Sequence, residues 1–573
     1  MRIRHELEAR ISAAFTALLG RDAPALVRDA DPRFGDYQAN GVMGQAKRDK
    51  SNPRELAAKL VAALDLADLC APPKIEGPGF INLTLRDEFL AARLAAMAAD
   101  EARLGVDPVE APQTIIVDLS SPNVAKPLHV GHLRSTILGD AIVRILRFLG
   151  HRVIADNHVG DWGTQFGMLI VGFRRWGDES KLAHNPTDEL ERVYRLANDA
   201  AKQDAAVAEE ARAELVKLQA GDADNLALWK RFIAATRAEL DVIYDRLDVH
   251  FDEWRGESAY HEALAPLVAK LLADGVAVID DGATVIFFTE DDNPELIDKP
   301  FLIRKSDGAF LYATTDLATL QYRRNAHRAD EIVYVVDKRQ GLHFKQLFAA
   351  ARKLGWRVRL AHVDFGAILG PDGRPIKTRE GGSVRLADLL SEAAARAATI
   401  IEEKNPEFAD DERARVAEAV GIGAVKYADL SQNRSSDYRF DWDKLLAFDG
   451  NTAPYLQYVH ARIRSIFRKL GDEQWQPPAG CVPELTHASE RALTCALLRF
   501  ADVVHDLPQD YLLHQLTDHL FALAQAFNAF YRDCTVLNST GATLDTRLTL
   551  CLVTARQIAL GLNLLGIAAP DRM

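Results

Sequence analysis

With 573 residues, 48% of them hydrophobic and 26% charged, the chain is too long for one hydrophobic core and too apolar to be disordered or fibrous, so three or four domains are expected. A net charge of −13 argues against a non-specific nucleic-acid binder, because phosphate neutralisation needs Lys and Arg. Local basic runs such as Lys47-Arg48-Asp49-Lys50 and Arg462, Arg464, Arg468 and Lys469 leave specific RNA contact open.

In chain order, the segment MRIRHELEARISAAF lacks the unbroken apolar core of a signal peptide, and no later apolar run reaches bilayer length. A cytoplasmic protein with no membrane partner is expected. Leu7, Ile11, Phe15, Leu18 and Leu19 predict an amphipathic helix stopped by Gly20, and Gly77-Pro-Gly-Phe-Ile-Asn-Leu-Thr-Leu predicts a turn entering a strand. Residues 1–88 therefore read as a small α+β domain.

After Pro108 and Pro112, the β-branched run Thr114-Ile-Ile-Val-Asp-Leu predicts a buried parallel strand. A polar loop, Ser120 to Leu128, leads into a long helix whose period is held by Leu133, Ile137, Leu138, Ile142, Ile145, Leu146 and Leu149, with Gly150 at its end. Val153-Ile-Ala-Asp follows, completing a βαβ unit of the nucleotide-binding kind. Further strands are predicted at Val285-Ile-Phe-Phe, Ile332-Val-Tyr-Val-Val and Val358 to Phe365. The expectation is an α/β domain with a Rossmann-like parallel sheet over residues 112–385, carrying insertions near 175–240 and 257–308. Beyond about 385 strand signals vanish, so residues 386–573 read as all-helical, broken only around Gln476 to Pro483. The five cysteines, at 70, 481, 495, 534 and 551, form no CxxC pair and have no His at ligand spacing, so neither zinc nor a disulfide framework is expected.

The chemistry concentrates in Ser120-Ser-Pro-Asn-Val-Ala-Lys-Pro-Leu-His-Val-Gly-His-Leu-Arg-Ser-Thr. His129, Gly131 and His132 fall where the long helix begins, and free backbone N–H groups and the helix dipole favour a phosphate there. Two imidazoles at that point can donate hydrogen bonds to charge growing on a polyphosphate. Gly131 is expected to allow close approach of a nucleoside. Neither GxxxxGK[ST] nor a well-placed GxGxxG occurs, so this is another phosphate-binding solution.

This segment resembles the His-x-Gly-His signature of class I aminoacyl-tRNA synthetases, in the form that marks arginyl-tRNA synthetases. The likeness continues through Asn157-His-Val-Gly-Asp-Trp-Gly-Thr-Gln-Phe-Gly, Gly256-Glu-Ser, Leu311-Tyr-Ala-Thr-Thr-Asp-Leu-Ala, Val336-Asp-Lys-Arg-Gln-Gly-Leu-His-Phe-Lys-Gln and Pro454-Tyr-Leu-Gln-Tyr-Val-His-Ala-Arg. It implies ATP-dependent activation of L-arginine and its transfer to the 3′-terminal ribose of tRNA(Arg), with Mg²⁺ accompanying ATP and no zinc. The first 88 residues would then bind tRNA and the helical third the anticodon.

The resemblance implies catalytic roles for His129, His132 and Lys126, the last standing in for lysines of the family's second signature, Lys-Met-Ser-Lys-Ser. That loop is replaced here by Gly370-Pro-Asp-Gly-Arg-Pro-Ile-Lys-Thr-Arg-Glu-Gly-Gly, whose Lys377 and Arg379 are candidates for ATP contact. His343 reads either as an ATP contact or as a packed core histidine. A carboxylate is needed for the guanidinium. The family's arginine-binding positions match Ser121, Asn123, His132, Tyr312, Asp316 and Gln340, with Glu257 as a second acid, and Tyr312 and Asp316 share one face if helical. For tRNA, the matching residues are Phe80, which is also a plausible core residue, with Asn82, Tyr455, Tyr458 and Met573.

Two rivals differ in class. A nucleotidyltransferase joining ATP to a small phosphorylated substrate has a similar helix but is far shorter, and a non-catalytic paralogue predicts loss of site residues that are present here. The chain is expected to act as a monomer.

Overall fold

The computed structural model describes residues 1–370, 372–374, 376 and 384–573. Lys377 and Arg379 lie outside the described residues. Two compact units divide the chain: one holds Val109–Thr399 and Ala424–Leu445, the other Met1–Pro108, Ile400–Gly423 and Leu446–Met573.

The first unit is built on five parallel strands. Their spatial order is Arg359–Phe365, Glu331–Asp337, Thr114–Asp118, Arg152–Asn157 and Glu253–Trp254. Ile115, Ile116 and Val117 are all buried, so the central strand is covered on both faces, which is why its sequence is continuously apolar rather than alternating. Ile116 and Ile332 share a core with Leu267, Leu271, Leu317, Leu320 and Leu347, from the helices His261–Ala273, Tyr312–Ala326 and Gly341–Lys353. Helix Val130–Phe148 packs against the strands so closely at Gly139 that a Cβ there would stand 2.3 Å from Leu119 Cβ.

The helices between Gln165 and Arg246 have a core cluster of their own, whereas Ile286, Phe301 and Ile303 of the 257–308 segment join the core of the sheet. Phe166, Ile170, Phe173, Leu190, Val193, Leu218 and Phe232 bury one another among helices Gln165–Trp176, Pro186–Gln203, Ala205–Gln219 and Ala223–Arg246. The strand expected at Val285 forms as Ala283–Ile286, but it pairs antiparallel with Val278–Asp280 and Phe301–Arg304 in a separate three-stranded sheet. Phe287 lies past its end and is exposed. One strand also survives beyond 385: Tyr438–Arg439 pairs in parallel with Ile368–Leu369. The buried Arg134 anchors that returning segment, donating through Nε to Asp429 Oδ1 at 3.0 Å and through Nη1 to Ser436 O at 3.1 Å.

In the second unit, helix Ile3–Leu19 buries Ile3, Leu7, Ile11 and Phe15, a stripe at four-residue spacing, and ends at Gly20 with φ 64°, a left-handed cap that glycine adopts without strain. Leu18 is exposed. A four-stranded antiparallel sheet follows in the order Val27–Asp29, Tyr37–Ala39, Phe80–Leu83 and Lys74–Glu76. The unit also holds helices Gly41–Asp49, Pro53–Ala62 and Asp87–Ala99 and, after Leu446, Ala453–Leu470, Ala488–Leu498, Phe500–Asp510, His514–Asp533 and Gly541–Leu564. Arg491 bridges sheet and helices, reaching Asp36 at 2.7 Å and Asp87 at 2.9 Å.

The close approach at Gly139 generates a stability prediction. Gly139→Val is expected to cost more than about 2 kcal/mol through overpacking, seen as a lowered thermal midpoint. Gly139→Ala should cost less, because alanine's helix propensity offsets about 1 kcal/mol of the clash.

Candidate active site

The chain leaves strands Thr114–Asp118 and Glu331–Asp337 in opposite directions across the sheet, so the crevice at their C-terminal ends is a topological switch point, the usual ligand position in open parallel sheets. His129 is the N-cap of helix Val130–Phe148. Its Nδ1 accepts from Gly131 N at 3.0 Å, while its own backbone N donates to His132 Nδ1 at 3.2 Å. The two rings lie 4.0 Å apart between centroids, tilted by 40°.

A neutral imidazole whose Nδ1 accepts carries its proton on Nε2. Burial favours the neutral form of both rings, pushing His132 down to about 4 with help from neighbouring His129, and Lys126 adds to the effect on each. Both Nε2–H groups remain without partners among the described residues. A Cβ at Gly131 would stand 2.7 Å from His129 Cε1 and 2.8 Å from Nδ1. The glycine is required by the folded-back His129 ring, a reason distinct from the nucleoside approach expected from sequence.

The loop before this helix is wound unusually. Ser120, Ser121 and Ala125 have φ of 67°, 48° and 66°, a left-handed region costing roughly 1–2 kcal/mol for each non-glycine residue. Hydrogen bonds hold it. Ser120 N donates to Ser135 Oγ at 3.0 Å and Ser121 N to Asn157 Oδ1 at 3.1 Å. Ser120 Oγ pairs with Tyr244 OH at 2.7 Å, and Ser121 Oγ donates to Asp118 Oδ1 at 2.7 Å. Asn123 is exposed, with its Oδ1 over Gly160, where a Cβ would meet it at 2.4 Å. Lys126 is exposed and, with His129, Gln165, Tyr194, Arg195 and Arg385, lines a cavity of about 510 Å³.

A second cluster is acidic. Tyr312 and Asp316 stand one turn apart at the start of helix Tyr312–Ala326, and Tyr312 is 68% exposed. Asp316 Oδ2 lies 2.6 Å from His343 Nε2, and the His343 ring meets Phe301 and Phe344 edge-on at 5.6 and 5.5 Å. His343 is thus joined to the acid, on a helix that starts just after the exposed Gln340. Burial, then the charges of Asp316 and Asp161, push Glu257 up to about 8. Burial and the charges of Glu257 and Asp316 also raise Tyr312, so these three side chains share one field.

Sequence reasoning missed the groups that hold Glu257. Asp161 accepts from Ser258 N at 2.8 Å and Ser258 Oγ at 2.6 Å, and Glu257 N donates to Val159 O at 3.2 Å. A Cβ on Gly256 would stand 2.3 Å from Asp161 Cγ. The Gly-Asp-Trp-Gly and Gly-Glu-Ser stretches are therefore two halves of one joint, and their unusual glycines were the available signal. Among the described residues no group of three or more His, Cys, Asp or Glu side chains could hold a metal ion.

The remaining candidates lie in the other unit. Phe80 is half-buried at the start of its strand, and Asn82 is buried, its Oδ1 accepting from Gln38 Nε2 at 2.7 Å. On helix Ala453–Leu470, Tyr455 OH accepts from Asn528 Nδ2 at 2.8 Å and its ring meets Phe521 at 5.7 Å, while Tyr458 is exposed. Met573 is half-exposed, behind an Asp571 carboxylate 3.0 Å from His460 Nε2.

Three family models match the chain. The catalytic domain of class I tRNA synthetases (R) matches residues 94–442, the DALR anticodon binding domain 456–573, and the arginyl tRNA synthetase N terminal domain 1–85. An arginine–tRNA ligase of Laribacter hongkongensis is 45% identical over 579 residues, and one of Cellvibrio japonicus 46% over 594, each covering all of both chains. Among solved structures, the arginyl-tRNA synthetase of Plasmodium falciparum superposes with a TM-score of 0.86 at 28% identity, covering 100% of this chain and 99% of its own. That of Thermus thermophilus gives 0.83 at 27%, covering 100% of both. With family models over its length and full-length relatives at this identity, the chain belongs to the arginyl-tRNA synthetases, of class I.

Proposed function

We propose that this enzyme forms arginyl-adenylate from ATP and L-arginine at the His129–His132 crevice and passes the arginyl group to the 3′-terminal ribose of tRNA(Arg). The observation that carries the reading is a pair of neutral imidazoles with free Nε2–H donors at a helix start, in the same unit as an acidic cluster suited to a guanidinium. An arginine carboxylate oxygen attacks the α-phosphorus, the bond to the β-phosphate oxygen breaks and pyrophosphate leaves. The ribose hydroxyl then attacks the adenylate carbonyl and AMP departs. No protein nucleophile is needed; positioning and electrostatics carry the rate.

His129 and His132 donate to the phosphate oxygens without giving up a proton, and Gly131 keeps the first ring folded back. Lys126 neutralises the phosphate tail, joined by Lys377 and Arg379. Ser121, Asn123, His132 and Gln340 hold the amino-acid backbone, while Asp316, Glu257 and Tyr312 take the guanidinium. His343 is read as Asp316's partner alongside its candidacy for ATP contact. Mg²⁺ enters with the nucleotide, whose phosphates supply its oxygens; the reading includes no zinc. Phe80, Asn82, Tyr455, Tyr458 and Met573 are the proposed tRNA contacts. No helix among the described residues is long and apolar enough to cross a membrane. We read the enzyme as a cytoplasmic monomer.

Aminoacylation of total tRNA with each of the twenty amino acids tests the substrate: arginine alone should be charged, and charging by any other would overturn the reading. Asp316→Ala is expected to raise the arginine KM on the order of a hundredfold, since it removes a charged acceptor and strands His343. His132→Ala should instead lower kcat by roughly a hundredfold or more.

Glu257 gives a pH signature. Held near 8 in the empty site, it is mostly protonated at neutral pH, and a bound guanidinium favours its ionised form, so binding releases a proton. Arginine affinity should therefore rise with pH from 7 to about 8 and level above. Glu257→Gln should lose that rise, and calorimetry in buffers of different ionisation enthalpy would register proton release only in the wild type.

A further inference from the structure

Arg323 lies in the last turn of the helix that carries Tyr312 and Asp316, and its guanidinium is fully buried. It lies seven residues beyond Asp316, two turns on, which keeps both on one face about 10 Å apart along the axis. Arg323 Nη2 donates to Asp156 Oδ2 at 2.6 Å and to Asp118 Oδ2 at 2.7 Å, and Nε donates to Asp156 Oδ2 at 3.1 Å. Asp118 and Asp156 are paired residues at the C-terminal ends of two adjacent parallel strands. The other oxygen of Asp118 accepts from Ser121 Oγ, in the left-handed loop. One cation thus fixes the Asp316 helix to the sheet and, through Asp118, sets the hydroxyl of Ser121.

We propose that Arg323 is a positioning residue that sets the distance between the two ends of the amino-acid pocket, Ser121 at the backbone end and Asp316 at the guanidinium end. The inference rests on the proposed reading that these two residues hold the substrate. Arg323 touches no substrate. It acts because a side chain of fixed reach, with Nε and Nη2 both on Asp156 Oδ2 and Nη2 shared with Asp118 Oδ2, leaves the helix no freedom to slide along the strands. Two carboxylates at the strand ends would repel each other without it, and burial would penalise both. The pocket length becomes a property of one buried contact set, so the enzyme measures its amino acid against that length.

Two conservative variants separate positioning from bulk stability. Arg323→Lys keeps the charge but loses the planar fork; Asp118→Asn keeps the shape but loses the charge holding Ser121. With rates normalised to active sites, each should raise the arginine KM on the order of tenfold to a hundredfold, the cost of a misplacement near 1 Å. The ATP KM should stay within about twofold, and preference for arginine over homoarginine, one methylene longer, should fall roughly tenfold. Should Arg323→Lys fail to fold, Asp118→Asn carries the test alone. An unchanged arginine KM and homoarginine ratio, or ATP and arginine KM values rising together, would overturn the proposal. Asp316→Ala run in parallel keeps the failures apart. If it also leaves the arginine KM untouched, the reading of the pocket is wrong; if it alone raises it, only the positioning role is lost.

Discussion

The Nδ1 atoms of His129 and His132 are both spent on backbone N–H groups of the turn in which they sit, and this decides where the protons of the two rings lie. An imidazole committed at Nδ1 as an acceptor offers only Nε2–H, and burial favours the neutral form of both rings. The turn therefore presents two oriented Nε2–H donors. Such donors stabilise charge developing on a leaving pyrophosphate without reorganising. Other features are built to make the turn possible: a glycine where a Cβ would strike the first ring, and a preceding loop wound into left-handed turns.

On the proposed reading, that loop links the phosphate site to the amino-acid site. Ser120 and Ser121 adopt conformations their side chains disfavour, and the hydrogen bonds opposing the strain come from Asn157, Tyr244, Ser135 and Asp118. Because Asp118 also receives Arg323, the strain is balanced by charge buried at the C-terminal end of the central strand. Hydrogen bonds to charged groups are worth about 1.5–3 kcal/mol, comparable with the local cost, so the loop is held and is not merely tolerated.

The sheet and the His129–His132 turn were legible because their signals are local. A β-branched run, a polar loop and a helical period follow one another within forty residues, and the i, i+4 spacing of Tyr312 and Asp316 needed only the helix to form. Short strands were not legible. Val27–Asp29, Tyr37–Ala39 and Lys74–Glu76 have three residues each and Glu253–Trp254 has two, too few for a period to show. The Val285 strand was found but its sheet was not, since residue pattern does not name a pairing partner. The Arg323–Asp118 contact spans 205 positions, and Ser120 and Ser121 carry no glycine to betray a left-handed turn. Asp161 was quoted within a motif yet had no role until its hydrogen bonds to Ser258 were seen.

The raised Glu257 bears on selectivity as well as on pH. An acid that is protonated in the empty pocket weakens binding of every cation, because ionising it costs free energy before any attraction is gained. A guanidinium recovers that cost: its planar fork of five donors can satisfy Asp316 and Glu257 together, each in a charge-assisted bond. A lysine ammonium is a compact point charge with a shorter overall reach and no planar fork, so it can answer one carboxylate and leave the other neutral or unpaired. Sites built around buried polar groups reject a substrate that leaves one unpaired far more strongly than apolar sites reject a missing methylene. On this reading, the field of Asp161 and Asp316 on Glu257 lowers affinity for arginine somewhat and for lysine much more.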